Sequence, residues 1–330
     1  MIVRDDKSGV EGGRRRPSQS EWERCRVTTP KETLVGKTVV VTGASDGIGK
    51  AAVRAFVDAG ASVMMIGRNE AKTAAAASRI MSESGRRVIT WEIADLSRQD
   101  AVRDLAHRLR SRVPTIDILV NNAGAMFLER ALTAEQIERT FALNHLNYFT
   151  LTLLLLNQLA AAAKPDAPAR IINVSSRAHR AARLDLDDLQ LVHGYGGWRA
   201  YSNSKLCNIL FTAALARRMN PSRIVAHAMH PGVVSTRFAS NNGLRGRLLR
   251  QVMDWFSVTP EQGADTIVWL ASADDALRGS GYYWEKRARQ TPSTMARNGD
   301  VADRLWEISA LLAHIDADRM IAEAGVAATS

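Results

Sequence analysis

Val39-Val40-Val41-Thr42-Gly43-Ala44-Ser45-Asp46-Gly47-Ile48-Gly49-Lys50 is the stretch that decides the fold of this 330-residue chain. A run of valines enters a turn carrying three glycines, and a helical pattern begins at Lys50. Glycine lets the backbone come close to a phosphate, and a helix N-terminus adds N–H donors and a partial positive charge. The spacing is G-x-x-x-G-x-G, distinct from the G-x-G-x-x-G of the general dinucleotide fingerprint. Between a strand and a helix, the turn reads as the phosphate cradle of a first βαβ unit.

Outward from the cradle, short β-branched runs alternate with helical stretches. Strands are expected at Thr38–Val41, Ser62–Ile66, Arg87–Glu92, Ile116–Val120, Arg170–Val174, Ile224–Met229 and Gly281–Trp284. Helices are expected at Lys50–Ala59, Glu70–Ser84, Ala101–Arg112 and Val301–His314, with Leu151–Leu156 in a further, buried one. Near-continuous apolar strands separated by helices predict an α/β Rossmann fold: one doubly wound parallel sheet covered on both faces, in a single domain. Residues 31–315 are assigned to that domain. Residues 1–30, polar and rich in Gly, Arg and Ser, read as a flexible tail, and 316–330 as a C-terminal tail.

The composition, 46% apolar and 24% charged, is that of an ordinary globular chain. The net charge of +10 comes from arginines spread along the sequence, with no compact basic-aromatic stripe. Nucleic-acid binding is therefore not expected. Cys25 and Cys207 form neither a disulfide framework nor a metal-ligand spacing, so no metal is expected and a reducing, cytoplasmic setting is inferred.

The second chemical signal is Tyr201-Ser-Asn-Ser-Lys205. Four residues apart on a helix, the phenol and the ammonium share a face. A neighbouring cation favours phenolate, which fits the tyrosine for acid–base work near neutral pH. Cofactor choice is read at the end of the second strand, where an acid binds the ribose 2′-OH and a basic residue accommodates a 2′-phosphate. Met65-Ile66-Gly67-Arg68-Asn69 offers Arg68 and no acid, which favours NADP(H) over NAD(H); Asp46 in the turn points the other way.

Together these motifs resemble the short-chain dehydrogenase/reductase family, from about Lys37 to Leu312. The resemblance implies that Gly43, Ser45, Asp46, Gly47, Ile48, Gly49 and Arg68 contact the cofactor. It adds Asp95 and Leu96 at the adenine and Asn122, Ala123 and Gly124 from the N-N-A-G motif. Pro231, Gly232, Val234 and Thr236 would hold the nicotinamide end. Asn144, Ser176, Tyr201 and Lys205 match the family's catalytic tetrad: Tyr201 exchanges the proton, Lys205 also holds the ribose, Ser176 bonds the substrate oxygen, and Asn144 supports a water that relays protons to Lys205. Ser175 is the competing serine; His145 and His179 are read as structural.

Leu143-Asn-His-Leu146, Asn173-Val-Ser-Ser-Arg-Ala-His179, Lys205-Leu-Cys-Asn208 and His230-Pro-Gly-Val-Val234 are similar to the retinol-dehydrogenase-like and WW-domain-oxidoreductase-like branch. That branch also shows a long serine–tyrosine segment; here Tyr201 lies 25 positions after Ser176. The implied activity is hydride transfer between NADP(H) and a lipophilic carbonyl or alcohol. An amphipathic stretch at about 237–257 is expected as an apolar substrate lid, with peripheral membrane contact as its alternative use. Lys205-Leu-Cys207-Asn is also reminiscent of protochlorophyllide reductases, which would imply carbon–carbon double-bond reduction, and a silent NADP-sensing role is a third reading. The family's habit implies a homodimer or homotetramer.

Overall fold

The computed structural model describes residues 33–232 and 259–328. The chain opens with strand β1 (Thr38–Thr42), helix α1 (Gly47–Asp58), β2 (Ser62–Gly67), α2 (Glu70–Ser84), β3 (Ile89–Ile93), α3 (Gln99–Arg112) and β4 (Ile118–Asn121). A helical turn at Arg139–Phe141 runs through a π-helical turn, Ala142–Leu146, into α4 (Asn147–Leu154) and α5 (Leu156–Ala162). Then come β5 (Ala169–Val174), α6 (Gly197–Arg218), β6 (Ile224–His230), α7 (Pro260–Ser272), β7 (Tyr283–Glu285), β8 (Ala288–Gln290), α8 (Gly299–Ala313) and α9 (Ala317–Glu323).

The sheet order is β3-β2-β1-β4-β5-β6-β7-β8, parallel except for the last pair. The order reverses between β1 and β4, so a crevice opens above their carboxyl ends, where α/β folds bind ligands. Alternation along each strand feeds two cores. Val40, Met64, Ile66, Leu119 and Ile171 face one, with α3, α4, α6 and α8. Val39, Val41, Val63, Met65, Ile118, Val120 and Ile172 face the other, with α1, α2 and α7. Burial on both faces is why these strands read as unbroken apolar runs.

Several boundaries differ from expectation. The third strand begins at Ile89, the fourth at Ile118, and Ile116 instead donates its N–H to Gln158 O at 3.0 Å. The apolar Leu151–Leu156 stretch is broken at Leu155, which leaves helical geometry at φ −106° between α4 and α5. The polar segment after Trp284 turns back as β8, antiparallel to β7, through Lys286 and Arg287 at φ 52° and 60°. Both turn residues lie in the left-handed region, as a two-residue hairpin of that hand requires.

The expected C-terminal tail at 316–330 carries α9, with Ala317, Ile321 and Val326 buried against the core. Asn220 N donates to Val326 O at 2.7 Å and Ala328 N to Arg218 O at 2.9 Å, so this segment closes over the end of α6. Among the described residues no helix is long and apolar enough to cross a membrane. The 1–30 tail, Cys25, Val234, Thr236 and the expected lid at 237–257 lie outside the described residues.

Candidate active site

The cradle is built by backbone packed against backbone. Asp46 caps α1, its carboxylate accepting from Gly47 N at 2.9 Å. A Cβ on Gly49 would lie 2.3 Å from Gly43 O and 2.6 Å from Asn122 Nδ2; one on Gly43 would lie 2.9 Å from Ala123 Cα. Only glycine fits either place. Thr42 Oγ1 accepts from Asn122 N (2.8 Å) and Ala123 N (3.0 Å), and Asn122 Nδ2 donates to Thr42 O (2.8 Å). The glycine turn and the N-N-A-G segment are thus one rigid unit across the β1–β4 crevice. It suits a dinucleotide: a helix start for the pyrophosphate and a floor with no side chain in the way.

At the end of β2, Arg68 is exposed, and Asn69 caps α2 by accepting from Lys72 N. Lys72 Nζ reaches back to Asp46 Oδ2 at 2.8 Å. The acid that argued against a phosphate is therefore paired with a cation. Asp95 accepts from Ser97 N and Ser97 Oγ (3.1 and 2.8 Å), which fixes the turn after β3, and Leu96 is buried beneath it. Pro231 and Gly232 follow β6 directly, Gly232 at φ 88°.

Three elements bring the four tetrad candidates together: the end of β5, the π-helical turn and α6. Ser176 follows β5 and caps the short 3-10 turn Arg177–Ala181, accepting from Ala178 N at 3.2 Å. Its hydroxyl is hydrogen-bonded to Tyr201, whereas neighbouring Ser175 turns away and donates to Lys205 O at 2.6 Å. Lys205 Nζ donates to Val174 O at 2.9 Å and lies 5.7 Å from the ring centroids of both Tyr201 and Tyr148. Asn144 sits in the π-helical turn, where the N–H of Asn147 reaches back to Ala142 O. That widened register frees carbonyls from the helical ladder. Asn144's amide grips the loop after β4, accepting from Ala125 N and donating to Ala125 O, both at 2.9 Å, and donates to Ser204 Oγ at 2.9 Å. Gly124 makes room, since a Cβ there would lie 3.1 Å from Asn144 Oδ1 and 3.4 Å from Lys205 Nζ.

The electrostatics correct one expectation. Burial pushes the Tyr201 phenol up to about 12, opposed by its hydrogen bond with Ser176, and pulls Lys205 down to about 7. Desolvation penalises the charged form of each group, so proximity to lysine alone does not make a phenolate. Burial thus favours a protonated phenol, able to donate, beside an amine less basic than a free lysine.

His179, expected as structural, anchors the serine: its Nδ1 donates to Ser176 O at 2.7 Å while Nε2 accepts from Ser293 N at 3.2 Å. Met126, Ala178 and Tyr201 form a small apolar cluster with Leu128 against it, and exposed Trp198 lies 6.0 Å from the Tyr201 ring. Cys207 is fully buried in the main core and burial pushes its thiol well up, so it packs and does not face the site. Two residues without an assigned role in the sequence reading belong here. Lys72 gave no sequence signal, because its partner lies in the glycine turn. Asn208 did: like Asn144, it is a polar side chain inside an apolar helix.

The family model described as short chain dehydrogenase matches residues 37–245. Retinol dehydrogenase 12 of Mus musculus is 38% identical over 293 residues, covering 89% of this chain and 91% of its own length. Retinol dehydrogenase 13 of Homo sapiens is 36% identical, covering 87% of each. Among solved structures, an uncharacterized protein from Mycobacterium paratuberculosis superposes with a TM-score of 0.71 at 30% identity, covering 87% of this chain and 97% of that one. The RhlG/NADP active-site complex of Pseudomonas aeruginosa gives 0.61 at 25%, covering 83% and 99%. The cradle, the tetrad geometry and these matches lead to one identification: the chain belongs to the short-chain dehydrogenase/reductase family, in its retinol-dehydrogenase-like branch, and is an NAD(P)-dependent oxidoreductase.

Proposed function

We propose that the protein is an NADP(H)-dependent reductase of lipophilic aldehydes or ketones, with Tyr201 as the proton donor. The observation that carries this reading is the buried Tyr201 phenol, hydrogen-bonded to Ser176 and 5.7 Å from Lys205 Nζ. With its pyrophosphate held in the cradle, NADPH would supply the hydride to the carbonyl carbon from its nicotinamide. Ser176 Oγ and Tyr201 Oη both bond the substrate oxygen, Ser176 stabilising the charge that develops there. Tyr201 then gives up its proton to that oxygen, and Lys205 offsets the phenolate left behind. A protonated phenol is the form needed when the reaction runs as a reduction.

Arg68, with Asp46 already engaged by Lys72, supports a 2′-phosphate over a bare ribose. The RhlG complex with NADP is in keeping with that choice. The apolar Met126, Leu128, Ala178 and Trp198 beside the phenol support a lipophilic body, as do relatives named for retinol. The test is initial-rate kinetics with NADPH and NADH over a series of linear aldehydes. kcat/KM should be at least about tenfold higher with NADPH, about 1.4 kcal/mol, and rise with chain length. A preference for NADH would overturn the cofactor assignment; a preference for short hydrophilic carbonyls would overturn the substrate class.

A further inference from the structure

The side chain of Asn208 has no place in the chemistry above, yet it bonds the backbone of Asn144 and of Val174 beside it. It is fully buried on α6, one turn beyond Lys205. Its Nδ2 donates to Asn144 O at 2.9 Å, within the π-helical turn, and to Val174 O at 3.3 Å. Val174 O is also the seat of Lys205 Nζ, at 2.9 Å. One amide therefore ties the π-helical turn to the end of β5 at the carbonyl that holds the lysine.

The amide itself is braced from behind. Because Nδ2 is spent on two carbonyls, Oδ1 is the acceptor that faces His145 Nδ1 at 3.3 Å. That nitrogen must then carry the proton, and Nε2 accepts from Ser309 Oγ at 3.0 Å, on α8. The backbone carbonyl of Asn208 is engaged too, accepting from Thr212 Oγ1 at 2.6 Å. A neutral imidazole suits this role, because a second ring proton would meet a hydroxyl already turned to donate.

We propose that Asn208 is a positioning residue for the Tyr201–Lys205 proton donor, clamping the Asn144 and Val174 carbonyls so that Lys205 keeps its seat beneath the phenol. The inference rests on Tyr201 acting as acid in the proposed reaction. It assigns the chemistry to Lys205 and Tyr201 and makes Asn208, His145 and Ser309 the frame. The titratable groups around the seat are Tyr201 and Lys205 on α6, Tyr148 on α4, His145 on the π-helical turn and Tyr283 on β7. Removing the amide lets water reach Lys205 and screens its charge from the phenol. An aspartate at the same place sets an anion beside the lysine and opposes the phenolate more strongly. Both changes should raise the pH at which Tyr201 loses its proton during turnover.

The experiment compares the wild type, Asn208→Ala, Asn208→Asp and Tyr201→Phe as full chains, with NADPH and decanal, rates being normalised to NADPH-binding sites titrated by fluorescence. For Asn208→Ala the expected result is a kcat lower by about tenfold to a hundredfold. The KM for NADPH should stay within about threefold, and the midpoint of the kcat–pH profile should move up by about half a unit, and by more for Asn208→Asp. Wild-type kcat and midpoint in both variants would overturn the proposal. So would a lowered kcat with an unmoved midpoint, which marks loss of packing alone. Should Asn208→Ala yield no cofactor-binding protein, Asn208→Asp decides on the same terms, and failure of both to bind NADPH would assign the residue to folding and overturn the proposal. If Tyr201→Phe keeps wild-type turnover, the acid–base reading itself falls. An inactive Tyr201→Phe with unaffected Asn208 variants removes only the clamp.

Discussion

At Tyr201 the chain buries a phenol whose ring packs on Met126 and Ala178 and whose hydroxyl bonds to Ser176. Tyr201→Phe deletes only that hydroxyl, so the packing should survive while the proton donor goes. The expected outcome is NADPH binding within about threefold of wild type and turnover lower by about 10²–10⁴. Equilibrium fluorescence titration and initial rates check the two halves separately. Arg68 is the complementary case at the other end of the cradle. Arg68→Asp would remove an exposed cation and put an acid where a ribose 2′-OH would sit. The NADPH/NADH ratio of kcat/KM should fall by at least about tenfold, since a hydrogen bond to a charged group contributes about 1.5–3 kcal/mol. An unchanged ratio would leave Arg68 out of cofactor choice. Asn144 was legible because an amide inside an apolar helix needs a reason, and Asn208 on α6 carried the same signal. The Lys72–Asp46 pair was not, because it joins positions 26 apart, on α2 and in the glycine turn, whose approach only the fold fixes.

Among the elements, the glycine turn is the least tolerant of change. Gly49→Ala sets a methyl 2.3 Å from Gly43 O, and neither backbone can yield without moving β1 or α1. Overpacking of this kind costs about 1–3 kcal/mol, and the shift falls on the groups that would face the phosphates. A lower Tm together with an NADPH Kd raised by at least about tenfold is expected, and calorimetry with ligand titration would show it. The strands and the first helices were legible because period and burial agree along them. β8 was not: Lys286 and Arg287 adopt left-handed backbone without the Gly or Asn that normally announces such a turn. α9 was missed for a similar reason. Its buried apolar positions, Ala317 and Ile321 with Val326 just beyond the helix, are few, and their burial depends on where α6 ends. Truncation after Ile315 should destabilise the chain by roughly 3–5 kcal/mol, from the lost burial of Ile321 and Val326 and of Ala317. Urea denaturation would measure the loss, and unchanged stability would mean that α9 merely rests on the surface.

Among the described residues four buried histidines tie stability to pH, His179 with its pKa lowered by burial and three others shifted further. Burial lowers His145, His227 and His230 from 6.5 to about 4 each. All three lie in the folded interior, and His227 Nε2 donates to Ala276 O at 2.7 Å in its neutral form. Between pH 6.5 and 4 the unfolded chain binds more protons than the folded one, so stability must fall as the pH falls through that window and level off below it. Each ring is worth up to about 3 kcal/mol at the lower limit. Three together approach the whole stability of a typical domain, about 5–15 kcal/mol. Urea unfolding at pH 7.5, 6, 5 and 4.5 should show a steep decline, and His227→Gln, whose amide can still serve Ala276, should make it shallower by about a third. A flat profile down to pH 4.5 would mean that these rings are not held neutral. His145 also braces Asn208 behind the lysine seat, so protonating it removes the frame of the site and a support of the core in the same step. Activity and near-ultraviolet dichroism should therefore fall together on acidification, and activity lost well before the fold would separate the site from that histidine.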